Sequence, residues 1–257
     1  MRYLVLFLVS LSLLSAEIIE THNFREIKDH LTSDTLVLLD IDDTILVPTQ
    51  MLGCDEWFSY RWKKHQSQGM PRDVAREKSL AEWEAVRHLT AMELVEPETN
   101  AMIENLQKQG VCIMGLTTQG LSLATRTTQQ LQQHNIDLTK TAPSSEDHFL
   151  SPEGHGILYR HGILFTSGTK KGKALFQLCE KIGYFPKRIL FINDKATHLA
   201  DIEAAASERG IPFLGLRYAY SDIRKALFRP EIAEWQFTHS AFDSILSDEE
   251  AARQLGL

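Results

Sequence analysis

Residues 35–44 read TLVLLDIDDT, an apolar run broken abruptly by Asp40, Asp42, Asp43 and Thr44. A short run of β-branched and aliphatic residues predicts a parallel strand buried on both faces, and the acids mark its C-terminal end, where open α/β sheets bind ligands. Three carboxylates within four positions repel one another unless a cation, a shared proton or a cationic clamp neutralises them. In an extended chain Asp40 and Asp42 point one way and Asp43 the other, which sets a nucleophile beside an acid. Taken alone, the stretch also fits a strand that ends in a solvated acidic turn. The other strand ends bear on that choice.

VCIMGL (111–116) is a second apolar run and stops at Thr117, Thr118, Gln119 and Gly120. RILFIND (188–194) ends in Asn193 and Asp194, and PFLGL (212–216) ends at Arg217 and Tyr218. Between these runs, apolar residues recur at helical spacing: Met102, Ile103 and Leu106 before Gly110; Leu121, Ala124, Thr128 and Leu131; Leu175, Leu178 and Ile182 before Gly183; Leu199, Ile202 and Ala205. Strands alternating with helices predict an α/β fold, a doubly wound parallel sheet whose strands deliver their last residues to one edge. A short helix is expected between Asn23 and Leu31. Residues 139–170, rich in Gly, Ser, Pro and His, read as a loop and a β-hairpin, with His148, His155 and His161 as loop residues.

From Leu46 to about Glu96 the composition changes. Trp57, Trp62 and Trp83 fall here, and Leu80, Trp83, Val86 and Leu89 have helical spacing. Residues 46–96 are therefore expected to form a mostly helical cap, inserted after the first strand into a core built from residues 17–45 and 97–257. A chain of 257 residues with 43% hydrophobic and 24% charged residues suffices for one such core and its insertion. The net charge of −7 argues against nucleic acid or an anionic membrane surface as partner.

The first sixteen residues, MRYLVLFLVSLSLLSA, place Arg2 before an apolar run and end in small residues, the pattern of a signal peptide too short to span a bilayer. Export follows as an expectation, with a mature chain from about Glu17 and no stable membrane insertion after processing. Leu14, where a small residue is preferred, departs from the pattern. Cys54, Cys112 and Cys179 have no metal-like spacing, and no disulfide is expected. Oligomeric state is not legible in the chain.

The strand ends collect Asp40, Asp42, Thr117 and Asp194, with Lys170 or Lys171 opening the intervening helix. In this order, across residues 35 to about 217, the set resembles the haloacid dehalogenase superfamily of phosphohydrolases. DIDDT matches that family's DxDxT motif and is similar to the first motif of its secreted acid phosphatases; within the family the chain resembles a group of exported bacterial members. The resemblance implies a Rossmann-like core, a location in the periplasm or outside the bacterial envelope, and a small phosphorylated substrate. It implies Asp40 as nucleophile, Asp42 as general acid and base, and Thr117 and Lys171 on the phosphoryl oxygens. Lys171 is preferred over Lys170 because Gly172 follows it. Magnesium would be held by Asp40, Asp194 and, through its carbonyl, Asp42.

Elementary chemistry supports these roles. A carboxylate that attacks phosphorus divides one hard displacement into two easier ones, and a neighbouring acid protonates the leaving oxygen and then deprotonates water. Mg²⁺ favours hard oxygen ligands and retains waters. The chain departs from the family where Asn193 precedes Asp194, the next acid, Asp201, lying seven residues on. That departure favours the alternative, a noncatalytic exported binding protein using the aromatic insertion as its contact surface.

Overall fold

The computed structural model describes residues 16–151, 156–240 and 245–257; residues 1–15 of the expected signal peptide, and His155, lie outside them. The strands are β1 (Ala16–Thr21), β2 (Thr35–Leu39), β3 (Leu46–Pro48), β4 (Met92–Leu94), β5 (Cys112–Thr117), β6 (His148–Leu150), β7 (Ile157–Arg160), β8 (Ile163–Phe165), β9 (Arg188–Asn193) and β10 (Phe213–Tyr218). The helices are α1 (Asp55–Ser67), α2 (Arg72–Leu89), α3 (Thr99–Lys108), α4 (Ala124–Gln133), α5 (Lys171–Ile182), α6 (Ala196–Ser207), α7 (Asp222–Ala226), α8 (Pro230–His239) and α9 (Asp248–Leu255).

Eight strands form one sheet in the order β1-β10-β9-β2-β5-β8-β7-β6. Pairing is parallel from β1 through to β8 and antiparallel from β8 to β6. The fold is thus α/β with a doubly wound, mostly parallel sheet. Alternation along each strand divides the core in two. Val37, Leu39, Ile113, Leu190 and Ile192 pack on one face with Ile103 and Leu106 of α3 and Leu131 of α4. On the other, Leu36, Leu38, Met114 and Phe191 meet Leu175 and Leu178 of α5 and Leu199 and Ile202 of α6. Every residue of β2 is buried, as a central strand covered on both sides requires.

Two elements extend the sheet beyond the sequence-based reading. The edge strand β1 was not anticipated, and the hairpin β7–β8 is part of the sheet because β8 pairs with β5. Its turn is His161-Gly162, with φ of 50° and 73°, and a Cβ on Gly162 would meet the Leu138 carbonyl oxygen at 2.5 Å. Two consecutive positive φ values match the twist of a two-residue hairpin. The helix expected at Asn23–Leu31 is a 3₁₀ helix over Phe24–His30, capped by the Asn23 side chain.

Residues 46–96 begin and end in the antiparallel ladder β3–β4, with α1 and α2 between. Trp57, Trp83 and Val86 share a small core with Leu123 and with Ala233 of α8. Trp57 also packs 5.2 Å from the Phe237 ring of α8 and donates from its indole nitrogen to Glu234. Leu80 and Leu89, expected on the buried face of α2, are 36% and 46% exposed. The helix buries a narrower stripe of Ala75, Ser79, Trp83 and Val86, since α1 covers only one side of it.

Candidate active site

The register of the sheet assembles the strand-end residues. Leu39 lies opposite Ile192 of β9 and Gly115 of β5, so one step further Asp40 comes level with Asn193 and Leu116, and Asp194 and Thr117 stand just beyond. The Asp40 amide donates to the Ile192 carbonyl at 3.1 Å, which fixes that step. Strand geometry ends there. The Ile45 and Leu46 amides both reach back to the Ile41 carbonyl, the Asp43 amide donates to the Leu46 carbonyl, and Asp43 has a φ of 58°. The alternation of a continuing strand, expected to turn Asp43 away from Asp42, therefore does not apply at Asp43; the chain coils, and an Asp in the left-handed region closes the turn.

Asp40 is 5% exposed and accepts from the Lys171 ammonium at 2.7 Å; the same ammonium donates to the Leu116 carbonyl at 2.9 Å. Lys171 is the first residue of α5 and is 1% exposed. It reaches the strand ends because α5 lies close against α6: a Cβ on Gly172 would stand 2.6 Å from the Ala205 Cβ and 2.7 Å from the Asp201 carbonyl oxygen. Asp201 takes up a structural task, accepting from the Gly172 amide at 3.1 Å. Burial raises the Asp40 carboxyl to about 7, with Lys171 opposing and Asp194 and Asp42 adding to the rise.

Asp42 is held from two sides, by Arg87 of α2 at 2.6 Å and by the Gln119 amide at 2.8 Å. Gln119 is in turn aligned by Thr127, whose hydroxyl donates to its carbonyl oxygen at 2.6 Å. The Thr117 hydroxyl is buried beside them and accepts from the Gln119 backbone amide at 3.2 Å. Neither Arg87 nor Gln119 was a candidate from sequence. Arg87 comes from the insertion, where nothing in the pattern sets one arginine apart; Gln119 stands two residues past Thr117 and follows from asking what pairs with Asp42.

Asp194 is 3% exposed. One of its oxygens accepts from Lys225 of α7, and the other, Oδ1, is buried with no hydrogen-bond partner among the described residues. Asn193 turns its carbonyl oxygen to the Lys195 amide at 2.7 Å. Lys195 pairs with Asp55, the first residue of α1. Burial would raise the Asp55 carboxyl, but the Lys195 charge and hydrogen bond outweigh it and hold it low. His198 faces this group, and burial with the nearby charges of Lys171 and Lys195 pushes its imidazole down to about 3.

A cavity of about 1040 Å³ is lined by Asp40, Asp42, Thr117 and Gln119 together with Phe58, Tyr60 and Trp83 of the inserted helices. Its size is at the upper end of small-molecule sites. Asp40 and Asp42 line it; Lys171 and Asp194 do not. Lys170 is the residue before α5 and Lys173 is exposed, so Lys171 alone of the three stands at Asp40.

Among the described residues no three His, Cys, Asp or Glu side chains are gathered as a complete metal cage. The donor set still suits Mg²⁺, which takes one or two carboxylates and fills its sphere with water, carbonyl and phosphate oxygens. The orphaned, buried Asp194 Oδ1 is a lone pair without a donor, as a hard cation requires.

The fold and this site define an α/β protein with a buried, lysine-paired carboxylate under a large cavity. The chain belongs to the family described as protein of unknown function DUF2608, whose model matches residues 20–252. It is 28% identical over 216 residues to a Chlamydia pneumoniae protein named "Putative outer membrane protein", covering 84% of this chain and 80% of that one. A second C. pneumoniae protein of the same name is 26% identical over 246 residues, covering 92% and 89%. Among solved structures, a haloacid dehalogenase-like hydrolase from Streptococcus pneumoniae is 14% identical with a TM-score of 0.43, covering 72% of this chain and 95% of that one. A likeness of that size adds no weight to the site. No helix among the described residues is long and apolar enough to cross a membrane.

Proposed function

We propose that the protein is an exported, Mg²⁺-dependent phosphomonoesterase that hydrolyses a small phosphorylated molecule through an aspartyl-phosphate on Asp40. The observation that supports it most is the Asp40 carboxylate, buried at the foot of the cavity with one oxygen fixed by Lys171 at 2.7 Å. Fixing one oxygen leaves the other to attack a phosphorus bound in the cavity. Asp42, held by Arg87 and Gln119, would exchange a proton with the leaving oxygen and then with water. Thr117 and the Lys171 ammonium would meet the charge that spreads over the phosphoryl oxygens. Mg²⁺, held by Asp40, Asp194 and the Asp42 carbonyl, would supply charge neutralisation between nucleophile and phosphate. The cap role of residues 46–96 belongs to the same proposal: their helices wall the cavity and would keep water out.

Export is supported by the apolar leader and by the names of the chlamydial relatives. The proposed partners are a small phosphate ester and no nucleic acid or membrane. A second reading, a noncatalytic exported binding protein, is favoured by Lys225, whose ammonium lies on Asp194 where a metal ligand must be free. A panel of phosphate esters assayed with and without Mg²⁺ separates the two. Turnover that needs Mg²⁺ and is lost in Asp40→Asn supports the esterase; saturable ligand binding with no turnover across the panel supports the second reading.

A further inference from the structure

Five carboxylates, Asp40, Asp42, Asp43, Asp55 and Asp194, meet four cations at the sheet edge. Arg87 takes Asp42, Lys171 takes Asp40, Lys195 takes Asp55, and Lys225 takes Asp194. Among the described residues Asp43 has only a share of Lys225, 3.9 Å away. It is nevertheless only 3% exposed. The edge is one positive charge short, and the shortfall lies between Asp43 and Asp194, where Asp194 Oδ1 is also orphaned. An isolated buried carboxylate is expensive unless it is paired.

We infer that Asp43 and Asp194 are a carboxylate pair for a divalent cation, and that the Lys225 ammonium holds this place until the cation displaces it. The inference rests on the proposed Mg²⁺ site and adds Asp43 to its ligands. A doubly charged ion in place of one ammonium brings the positive charge level with the five carboxylates. It also gives this chain, from the turn after β2, the second acid that residues 195–200 do not supply. Lys225 is suited to leave: it stands on the five-residue α7, its side chain is 19% exposed, and its neighbours Ile223 and Leu227 are exposed. A flexible four-carbon stem can carry the ammonium into water without moving the sheet.

Calorimetric titration of the full chain with MgCl₂ and separately with MnCl₂, no phosphate ester present, tests this. Lys225→Met, which removes the competing charge and keeps the stem, is expected to tighten the dissociation constant about tenfold or more. Asp43→Asn, which the left-handed backbone tolerates, and Asp194→Asn are each expected to weaken it by at least as much. Adding the metal to wild type should also speed amide exchange in residues 222–226 as Lys225 lets go. Equal affinity in wild type and Lys225→Met, unchanged affinity in Asp43→Asn, or no binding to any of the four proteins overturns the inference. Lys225→Gln repeats the comparison should the Met variant not fold. Because no turnover is measured, absence of phosphatase activity beside the expected order of affinities would sink the esterase reading alone.

Discussion

Asp40 has exchanged water for one ammonium. Carboxylate repulsion considered alone makes Asp40→Asn neutral or stabilising, but Lys171 reverses the sign, since the variant leaves a cation 1% exposed without its counter-charge. An amide oxygen still accepts the hydrogen bond, so the expected loss is about 2 kcal/mol, with turnover gone altogether. Thermal melts and an assay of the same sample check both halves. His198 gives a prediction in pH. Its imidazole ordinarily protonates near 6.5, and in the fold near 3. Between those values the unfolded chain holds a proton that the folded chain does not, so stability is full above 6.5 and falls as pH drops toward 3. His198→Gln should therefore lose less of its thermal midpoint between pH 7 and 5 than wild type does; equal losses would refute the assignment.

At the level of elements, the central strands and their helices were legible because each combines a buried apolar run with a polar end, and Gly110 and Gly183 sit with positive φ at the helix stops. β1 was not, because AEIIET follows an apolar leader and its single partner, β10, is nearly two hundred residues away. Lys171 was legible only through the glycine after it, and the structure gives the reason: α5 and α6 touch at Gly172. Gly172→Ala is expected to cost about 1–3 kcal/mol by pushing α5 off α6, and to slow any turnover by moving Lys171. A denaturant midpoint equal to wild type would show that the helices have room. The inserted helices hold to α8 through Arg61, which is 10% exposed and bonded to Glu82 at 2.8 Å and Glu234 at 3.0 Å. Arg61→Ala removes two charged hydrogen-bonded contacts but leaves Glu82 to His65 and Glu234 to Lys64 and the Trp57 indole, so about 1–3 kcal/mol should be lost, visible as a lower thermal midpoint.

Across the whole molecule, the site is drawn from six separated parts of the chain: the end of β2, the inserted helices, the end of β5, the start of α5, the end of β9 and the short helix α7. The parts at strand ends could be read from sequence, because a parallel sheet brings every such end to one edge. Arg87, Lys195 and Lys225, which neutralise that edge, could not, since a charged residue on a helix or in a loop looks the same whether it faces water or a carboxylate. In the proposed reaction Asp40 takes the phosphoryl group. Mixing Asp42→Asn with Mg²⁺ and an aryl phosphate that wild type hydrolyses, whose phenolate leaves without an acid, quenching in acid, and locating any phosphoryl adduct by peptide mass spectrometry tests that role most directly. Without its base to activate water, this variant should accumulate the adduct on the peptide that contains Asp40, and the Asp40→Asn, Asp42→Asn double variant should carry none. An adduct on another residue, or wild-type turnover that persists in Asp40→Asn, would contradict the account.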